Sequence, residues 1–222
     1  MLKPQSQAFP MALSLAAALA LAAQCAPTVA PETLLSVVQV ESRFEPLAIG
    51  VNGSPRVTLA PSSVDEAVAR AGELIAAGRS IDLGLAQINS KNLAWLGLGL
   101  REVFEPCANL KAAAKVLQDG YGRSDPDRVG ERAALRTTLS YYNTGHPERG
   151  VRNGYVGKVE AAAGRIVPAL GSSSGSAVES APVAPLNRSE PPTAAWDVFG
   201  DVKPDRGSFV TTVSITSSGG SQ

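Results

Sequence analysis

Apolar positions recur at helical spacing along the first 170 residues, and the clearest example follows Pro31. The stripe on this helix consists of Leu34, Leu35, Val37 and Val38. Their three- and four-residue spacing predicts one buried helix face. Pro31 and Glu32 suit the first turn, where proline is tolerated and a carboxylate meets the positive end of the helix dipole. The helix should end before Pro46, because the residue that precedes a proline avoids the α region.

Two further helices have recognisable ends. Residues 63–66, Ser-Val-Asp-Glu, form a capping box that predicts a helix to about Ala77, ahead of Gly78. Asn109 is expected to cap a third helix that runs to about Asp119, with a glycine after it.

The remaining pattern adds two helices and one turn region. Apolar spacing predicts helices near residues 129–142 and 155–167. Residues 51–59 place Asn-Gly and Ser-Pro turn signals between short apolar flanks, and they predict a loop or a small hairpin. Together the pattern predicts a mostly α-helical fold in a single domain.

The first 24 residues form a separate compositional unit. A lysine lies near the start, an apolar run covers residues 11–23, and Ala-Leu-Ala at 20–22 offers a cleavage site. This layout is typical of a secretory signal peptide. The run is shorter than the roughly 20 apolar residues of a membrane helix, so no stable span is expected. The alternative is that residues 13–23 form the first helix of the domain, which otherwise covers residues 25–170.

Composition changes again at the other end of the domain. Residues 171–222 are rich in Ser, Gly, Pro and Ala. Such a segment buries too little apolar surface to offset its ordering entropy, so a disordered tail is predicted. Trp196, Val198 and Phe199 form a small apolar patch within it, which is either a docking motif or a chance cluster.

Charge and cysteine content narrow the class of function. Lys and Arg together number 20, as do Asp and Glu, so net charge is zero and gives no electrostatic reason to expect a nucleic-acid partner. Two cysteines and one histidine cannot supply the roughly four clustered ligands of a zinc site. No metal or cofactor is expected.

Glu41 is the residue that breaks the pattern, because it continues the apolar stripe of the first predicted helix. A carboxyl group on a buried stripe, near the negative end of the helix dipole, is costly to ionise, and both effects raise its pKa. A carboxyl that stays protonated near neutral pH can serve as the general acid for glycosidic cleavage. The alternative is a solvated glutamate, or one paired with Arg43 or a distant arginine.

Three neighbouring features bear on this interpretation. Glu45 lies one turn after Glu41, so the pair cannot straddle a sugar as two glycosidase carboxyls do, and a solvated helix-end residue is expected. Residues 84–89, Gly-Leu-Ala-Gln-Ile-Asn, combine close backbone approach with an amide that can bind a ligand. Residues 140–145, Ser-Tyr-Tyr-Asn-Thr-Gly, offer aromatic and amide groups suited to sugars.

These stretches, taken in order, resemble one family. The chain is similar to the soluble lytic transglycosylases with a goose-lysozyme-like domain, whose signature resembles four motifs in this order: Glu41-Ser42-x-Phe44-x-Pro46-x-Ala48, GLAQIN, YYNTG, and Gly-Tyr-Val at 154–156. The long insert before Gly84 is closest to the subgroup that serves type IV secretion and conjugation systems.

The resemblance implies a helical lysozyme-like domain around a glycan cleft, with Glu41 as the catalytic acid. The implied substrate-binding residues are Ser42, Gln87, Tyr142, Asn143 and Tyr155. Ala86 departs from the methionine usual in the family, which puts an apolar wall against the sugar in doubt. The implied reaction cleaves the bond between N-acetylmuramic acid and N-acetylglucosamine and leaves an anhydromuramoyl end. Without an obvious second acid, intramolecular attack needs no carboxylate to activate water.

Cys25 and Cys107 are an even pair in a chain with an export signal, so they are expected to form a disulfide, the alternative being two buried thiols. The expected location is the periplasm. The expected partners are peptidoglycan strands and, through the tail, secretion-system components. Two other functions stay open: a hydrolytic lysozyme of the same fold, and a wall-binding scaffold.

Overall fold

The computed structural model describes residues 12–53 and 55–173, with helices arranged around one small sheet. The helices are α1 (Leu15–Cys25), α2 (Pro31–Glu41), α3 (Val64–Ala76), α4 (Leu93–Leu96), α5 (Pro106–Gly122), α6 (Pro126–Val129), α7 (Glu131–Thr144), α8 (Arg149–Arg152) and α9 (Tyr155–Ser173). The strands are β1 (Ile49–Val51), β2 (Val57–Leu59), β3 (Ile81–Leu83) and β4 (Ile88–Asn89). They form an antiparallel sheet in the order β2-β1-β3-β4. The predicted mostly helical class is confirmed.

Helix α2 is the centre of the core, and it packs against α1, α5 and α9. All four residues of its predicted stripe are fully buried. The helix ends at Glu41, because Arg43 and Phe44 adopt positive φ angles that no α-helix continues through. This end lies before Pro46, as the sequence predicts.

Residues 13–23, for which the sequence left open a signal peptide or a first domain helix, contribute most of helix α1. Ser14 caps it by accepting a hydrogen bond from the Ala17 backbone N–H. Ala18 and Ala22 are buried against the core. Small side chains on this face let α1 lie close to α2 and α5, so in this structure the segment takes the place of a first domain helix. Removal of residues 1–24 on export stays a prediction.

The third predicted helix begins earlier than expected, and Asn109 does not cap it. Helix α5 starts at Pro106, a residue favoured in a first turn, and continues through Gly120 to Gly122. Asn109 is fully buried inside the helix. Its side chain accepts from the Ala86 N–H at 2.8 Å and donates to the carbonyls of Leu83 and Val103. The Asn109 side chain therefore stabilises the turn between β3 and β4. These contacts are with residues distant in sequence, so no local sequence pattern predicts them.

The other predicted elements are present with modest changes. Ser63 caps α3 by accepting from the Glu66 N–H, but the Glu66 carboxylate accepts from Ser62 instead of completing the box at Ser63. The predicted turn region is a true hairpin, formed by β1 and β2. Strands β3 and β4 were not predicted, since segments of three and two residues are too short to show alternation.

Helix α9 continues past its predicted end, through Pro168 to Ser173. Residues 174–222 lie outside the described part of the chain, and the predicted docking patch of Trp196, Val198 and Phe199 lies with them. Within the described residues, no helix combines the length and apolar character needed to cross a bilayer.

The structure contains the Cys25–Cys107 disulfide, which joins the end of α1 to the first turn of α5. The bridge closes a loop between residues 82 positions apart. In the chain-entropy model, such a loop contributes about 4.5 kcal/mol to the free energy of unfolding.

Candidate active site

Glu41 lies at the last position of α2, where a polar groove opens against the core. Its side chain is half-buried, and the Tyr155 hydroxyl donates a hydrogen bond to Oε1 at 2.6 Å. The surroundings of Glu41 raise its pKa from the ordinary 4.5 to about 7; desolvation by burial is the largest cause, and the negative charge of Asp82 acts in the same direction. The Tyr155 hydrogen bond and the charge of Arg56 lower it. Because desolvation is the largest of these effects, Glu41 can hold its proton near neutral pH.

The start of α9 brings Tyr155 to this carboxyl. Gly154 takes a φ of 81°, which glycine tolerates without strain, and Asn153 Oδ1 accepts from the Tyr155 N–H at 3.0 Å. Tyr155 is itself buried, and burial raises the pKa of its hydroxyl well above the usual range. The hydroxyl therefore keeps its proton near neutral pH and donates it in the hydrogen bond to Glu41.

Gln87 sits beside Glu41 in a tight turn with a φ of 50°. Its side chain is buried, and Nε2 donates to the carbonyls of Ala48 and Gly84, both at 3.0 Å. The side-chain oxygen lies over β1, where a Cβ added to Gly50 would come within 2.6 Å of it. Gly50 thus leaves the space that the Gln87 side chain occupies, and Gln87 lines both cavities beside Glu41.

Tyr142 and Asn143, at the end of α7, also line the groove. The Tyr142 hydroxyl donates to the Ala86 carbonyl at 2.7 Å, and burial raises its pKa well above the usual range. Asn143 Oδ1 accepts from Asn153 Nδ2 at 2.9 Å. These bonds connect α7 to the turn before β4 and to the start of α9, so three segments distant in sequence hold one surface.

Two cavities meet at the carboxyl. The larger measures about 690 Å³ and runs along the sheet toward Trp95, and the smaller measures about 330 Å³ and lies toward α9. Both are lined by Glu41, Arg56, Gln87 and Asn143. The carboxyl therefore lies partway along a groove that is open on either side of it.

The structure places two predicted residues away from the groove. The Ser42 hydroxyl turns back to the Val38 carbonyl at 3.5 Å, and Ser42 lines neither cavity. Glu45, predicted to be a solvated helix-end residue, lies beyond the end of α2 and also lines neither cavity. Ala86, the departure from the family pattern, is fully buried beneath the groove rather than exposed to it.

Sequence reasoning missed a second carboxylate in the groove. Asp82, on β3, forms an ion pair with Arg56 at 3.0 Å and accepts from Asn89 Nδ2 at 2.7 Å. Asp82 is the polar position between two apolar ones, Ile81 and Leu83, but a stretch of three residues is too short to single it out from the sequence. Asp82 is thus a second carboxylate in the groove that was not obvious from the sequence, and it is already paired with a cation.

Trp95 is a second missed residue. It lines the larger cavity with 44% of its surface exposed, unusual for so large an apolar side chain. The Lys115 ammonium lies 5.0 Å from the centre of its ring. An exposed aromatic face in a polar groove is suited to stacking on a sugar ring.

The arrangement defines a class of protein. One sheltered carboxyl with a near-neutral pKa, held by a tyrosine in a groove rich in amides, can deliver a proton to a glycosidic oxygen of an extended saccharide. This is the chemistry of a helical glycan-cleaving domain of the lysozyme type.

Comparison with known proteins identifies the family. The transglycosylase SLT domain model matches residues 18–163, well over half of the chain, and the chain belongs to this family. Type IV secretion system protein virB1 of Brucella abortus (strain 2308) is 45% identical over 151 residues, which cover 65% of this chain and 63% of the relative. Protein virB1 of Agrobacterium fabrum (strain C58 / ATCC 33970) is 39% identical over 186 residues, which cover 82% and 70% respectively.

The aligned part therefore spans less than two thirds of the Brucella protein's own length. No solved structure matches the chain significantly.

Proposed function

We propose that this protein is a peptidoglycan lytic transglycosylase in which Glu41 is the single acid and base. The observation that carries the proposal is the Glu41 carboxyl, desolvated to a pKa of about 7 and bonded to Tyr155 at the junction of two cavities. Membership of the transglycosylase SLT domain family supports the substrate class.

In the proposed first step, protonated Glu41 donates its proton to the oxygen that joins N-acetylmuramic acid to N-acetylglucosamine. The bond from that oxygen to muramic C1 breaks, and positive charge develops on the muramic ring. Glu41, now ionised, keeps the Tyr155 hydrogen bond, which favours its charged form. The substrate's own N-acetyl group stabilises the cationic centre, as the family resemblance implies.

In the second step, Glu41 takes the proton from the muramic C6 hydroxyl as that oxygen bonds to C1. The product is an anhydromuramoyl end, and the carboxyl is protonated again without any net consumption of water. An attacking group on the same sugar has a high effective concentration, so no second carboxylate is required. Gln87, Tyr142 and Asn143 act as the groove's positioning groups, and Trp95 as a stacking surface.

The biological setting follows from the relatives. The Brucella relative is a type IV secretion system protein, and we infer that this chain opens the wall locally for such an apparatus. Peptidoglycan lies in the periplasm of a Gram-negative envelope, so the proposed location agrees with the predicted export signal.

A hydrolytic lysozyme is the second candidate, and Asp82 is the observation that favours it. Asp82 lines the larger cavity together with Glu41, so its carboxylate could orient a water in place of the C6 hydroxyl. The Arg56 ion pair and the Asn89 hydrogen bond occupy both Asp82 oxygens, which favours a supporting role. Under the transglycosylase account, Asp82→Asn retains anhydro products; under the hydrolytic account, it abolishes cleavage.

The test of the acid itself compares Glu41→Gln with Glu45→Gln on purified cell wall. Both changes remove one carboxyl from the same short segment, but Glu45 lines neither cavity. We expect wall lysis to fall by at least 100-fold for Glu41→Gln, the usual contribution of a general acid, and to be unchanged for Glu45→Gln. Retained lysis in Glu41→Gln would end the proposal.

A further inference from the structure

The two cavities that meet at Glu41 differ in charge. The charged residues along the larger cavity balance, with three carboxylates and three cations: Glu41, Asp82, Asp119, Arg56, Lys91 and Arg123. The charged residues along the smaller cavity are Glu41, Arg56 and Lys158. When Glu41 holds its proton, as it must before cleavage, the smaller cavity is lined by two cations and no anion.

Lys158 is the cation of this cavity that is free to act. It lies one turn into α9, three residues after Tyr155, and is exposed. Among the described residues, its ammonium has no ion-pair partner, whereas Arg56 shares its charge with Asp82. A flexible ammonium in this position can reach an anion without breaking any bond that holds the fold.

Amide donors complete the lining. Asn143 uses its oxygen to accept from Asn153, and within the described part of the chain its Nδ2 group donates to no protein acceptor. That group therefore remains available to an oxygen of a ligand in the cavity. An ammonium, a guanidinium and an amide N–H₂ are the donors that carboxylates bind in proteins.

The substrate offers one anionic neighbour for a bond cleaved at Glu41. N-acetylglucosamine is neutral, whereas each muramic residue carries a lactyl group that ends either in a free carboxylate or in an amide link to a stem peptide with carboxylates of its own. Resting on the proposed function, we infer that the smaller cavity binds a carboxylate borne by the lactyl arm of a muramic residue beside Glu41, with Lys158 as its principal cation.

The contact should act on substrate choice and not on the chemical step. Lys158 is solvent-exposed, so its pairing with a carboxylate is worth less than that of a buried cation, and a preference of about fivefold in kcat/KM is expected. The preference should fall at high salt, because screening acts strongly on exposed pairs.

Three preparations of the same glycan strands test the inference. The first has stem peptides removed, leaving free lactyl carboxylates; the second is the first with those carboxylates converted to neutral methylamides; the third retains the stems. Cleavage is measured for the full chain, for Lys158→Gln and for Lys111→Gln, which removes an exposed lysine of α5 away from both cavities.

We expect the unaltered protein and Lys111→Gln to cleave at least one carboxylate-bearing preparation about fivefold better than the methylamide strands. Lys158→Gln should bring that ratio close to one while leaving methylamide cleavage unchanged, and Lys158→Arg should restore it. The preparation that shows the dependence identifies whether the lactyl or the stem carboxylate is bound.

A ratio near one in the unaltered protein, or equal losses on all strands in Lys158→Gln, would overturn the inference. Neither result bears on the proposed function, which is tested separately by whether Glu41→Gln still cleaves the methylamide strands.

Discussion

The sheltered carboxyl of Glu41 has a consequence for stability that can be measured without substrate. The pKa rises from 4.5 in an ordinary environment to about 7 in the fold. The folded protein therefore holds a proton that the unfolded chain has lost between these two pH values. Stability from this group is fully present below pH 4.5 and is lost as pH rises through about 7. At about 1.4 kcal/mol per pKa unit, the loss amounts to about 3 kcal/mol.

Glu41→Gln removes this dependence while keeping an oxygen for the Tyr155 hydrogen bond. The variant should gain about 3 kcal/mol in the free energy of unfolding, relative to the unaltered protein, between pH 4.5 and pH 8. Urea unfolding of both proteins across this range measures it, and all other titrating groups cancel in the difference. A difference between the two proteins that stays constant with pH would refute the reasoning, because it would mean that the carboxyl is not desolvated.

Three other changes follow from the same contacts. Tyr155→Phe removes the hydrogen bond that favours ionised Glu41, so the alkaline limb of the pH–rate profile should move upward; an unchanged limb would contradict the role given to Tyr155. Asn109→Ala leaves three buried backbone groups without their partner and should lower the free energy of unfolding by about 3 kcal/mol in urea, with less than 1 kcal/mol arguing against the observed network. Replacing Cys25 and Cys107 with serine should cost about 4 kcal/mol and lower the melting temperature in non-reducing buffer, whereas equal melting would show that the bridge does not form.

Much of the helical frame could be predicted from local pattern. The burial of the α2 stripe could be predicted from its spacing, because helix periodicity places its apolar residues on the face that meets the core. Glu41 stood out for the same reason, as a carboxyl placed where that stripe continues. These features depend on residues within a few turns of one another, which is the range that sequence patterns describe.

The rest depends on contacts between distant segments. Asn109 reads locally as a helix cap, yet its partners lie 23 and 26 residues away, in the turn before β4 and on β3. Likewise, the pairing of Asp82 with Arg56 joins residues 26 positions apart across β1. In the sequence, Lys158 has no feature that distinguishes it from other surface lysines. Only the packing of α9 against α2 brings it beside Glu41.

The mass of the product ends tests the central claim most directly. Purified wall digested by the full chain, then separated and weighed without chemical reduction, should release fragments with anhydromuramoyl ends, each one water lighter than the hydrolytic product. Glu41→Gln should release neither form. Reducing ends as the main product, or anhydro ends released equally by Glu41→Gln, would contradict a mechanism in which this carboxyl first gives a proton and then takes one from the C6 hydroxyl.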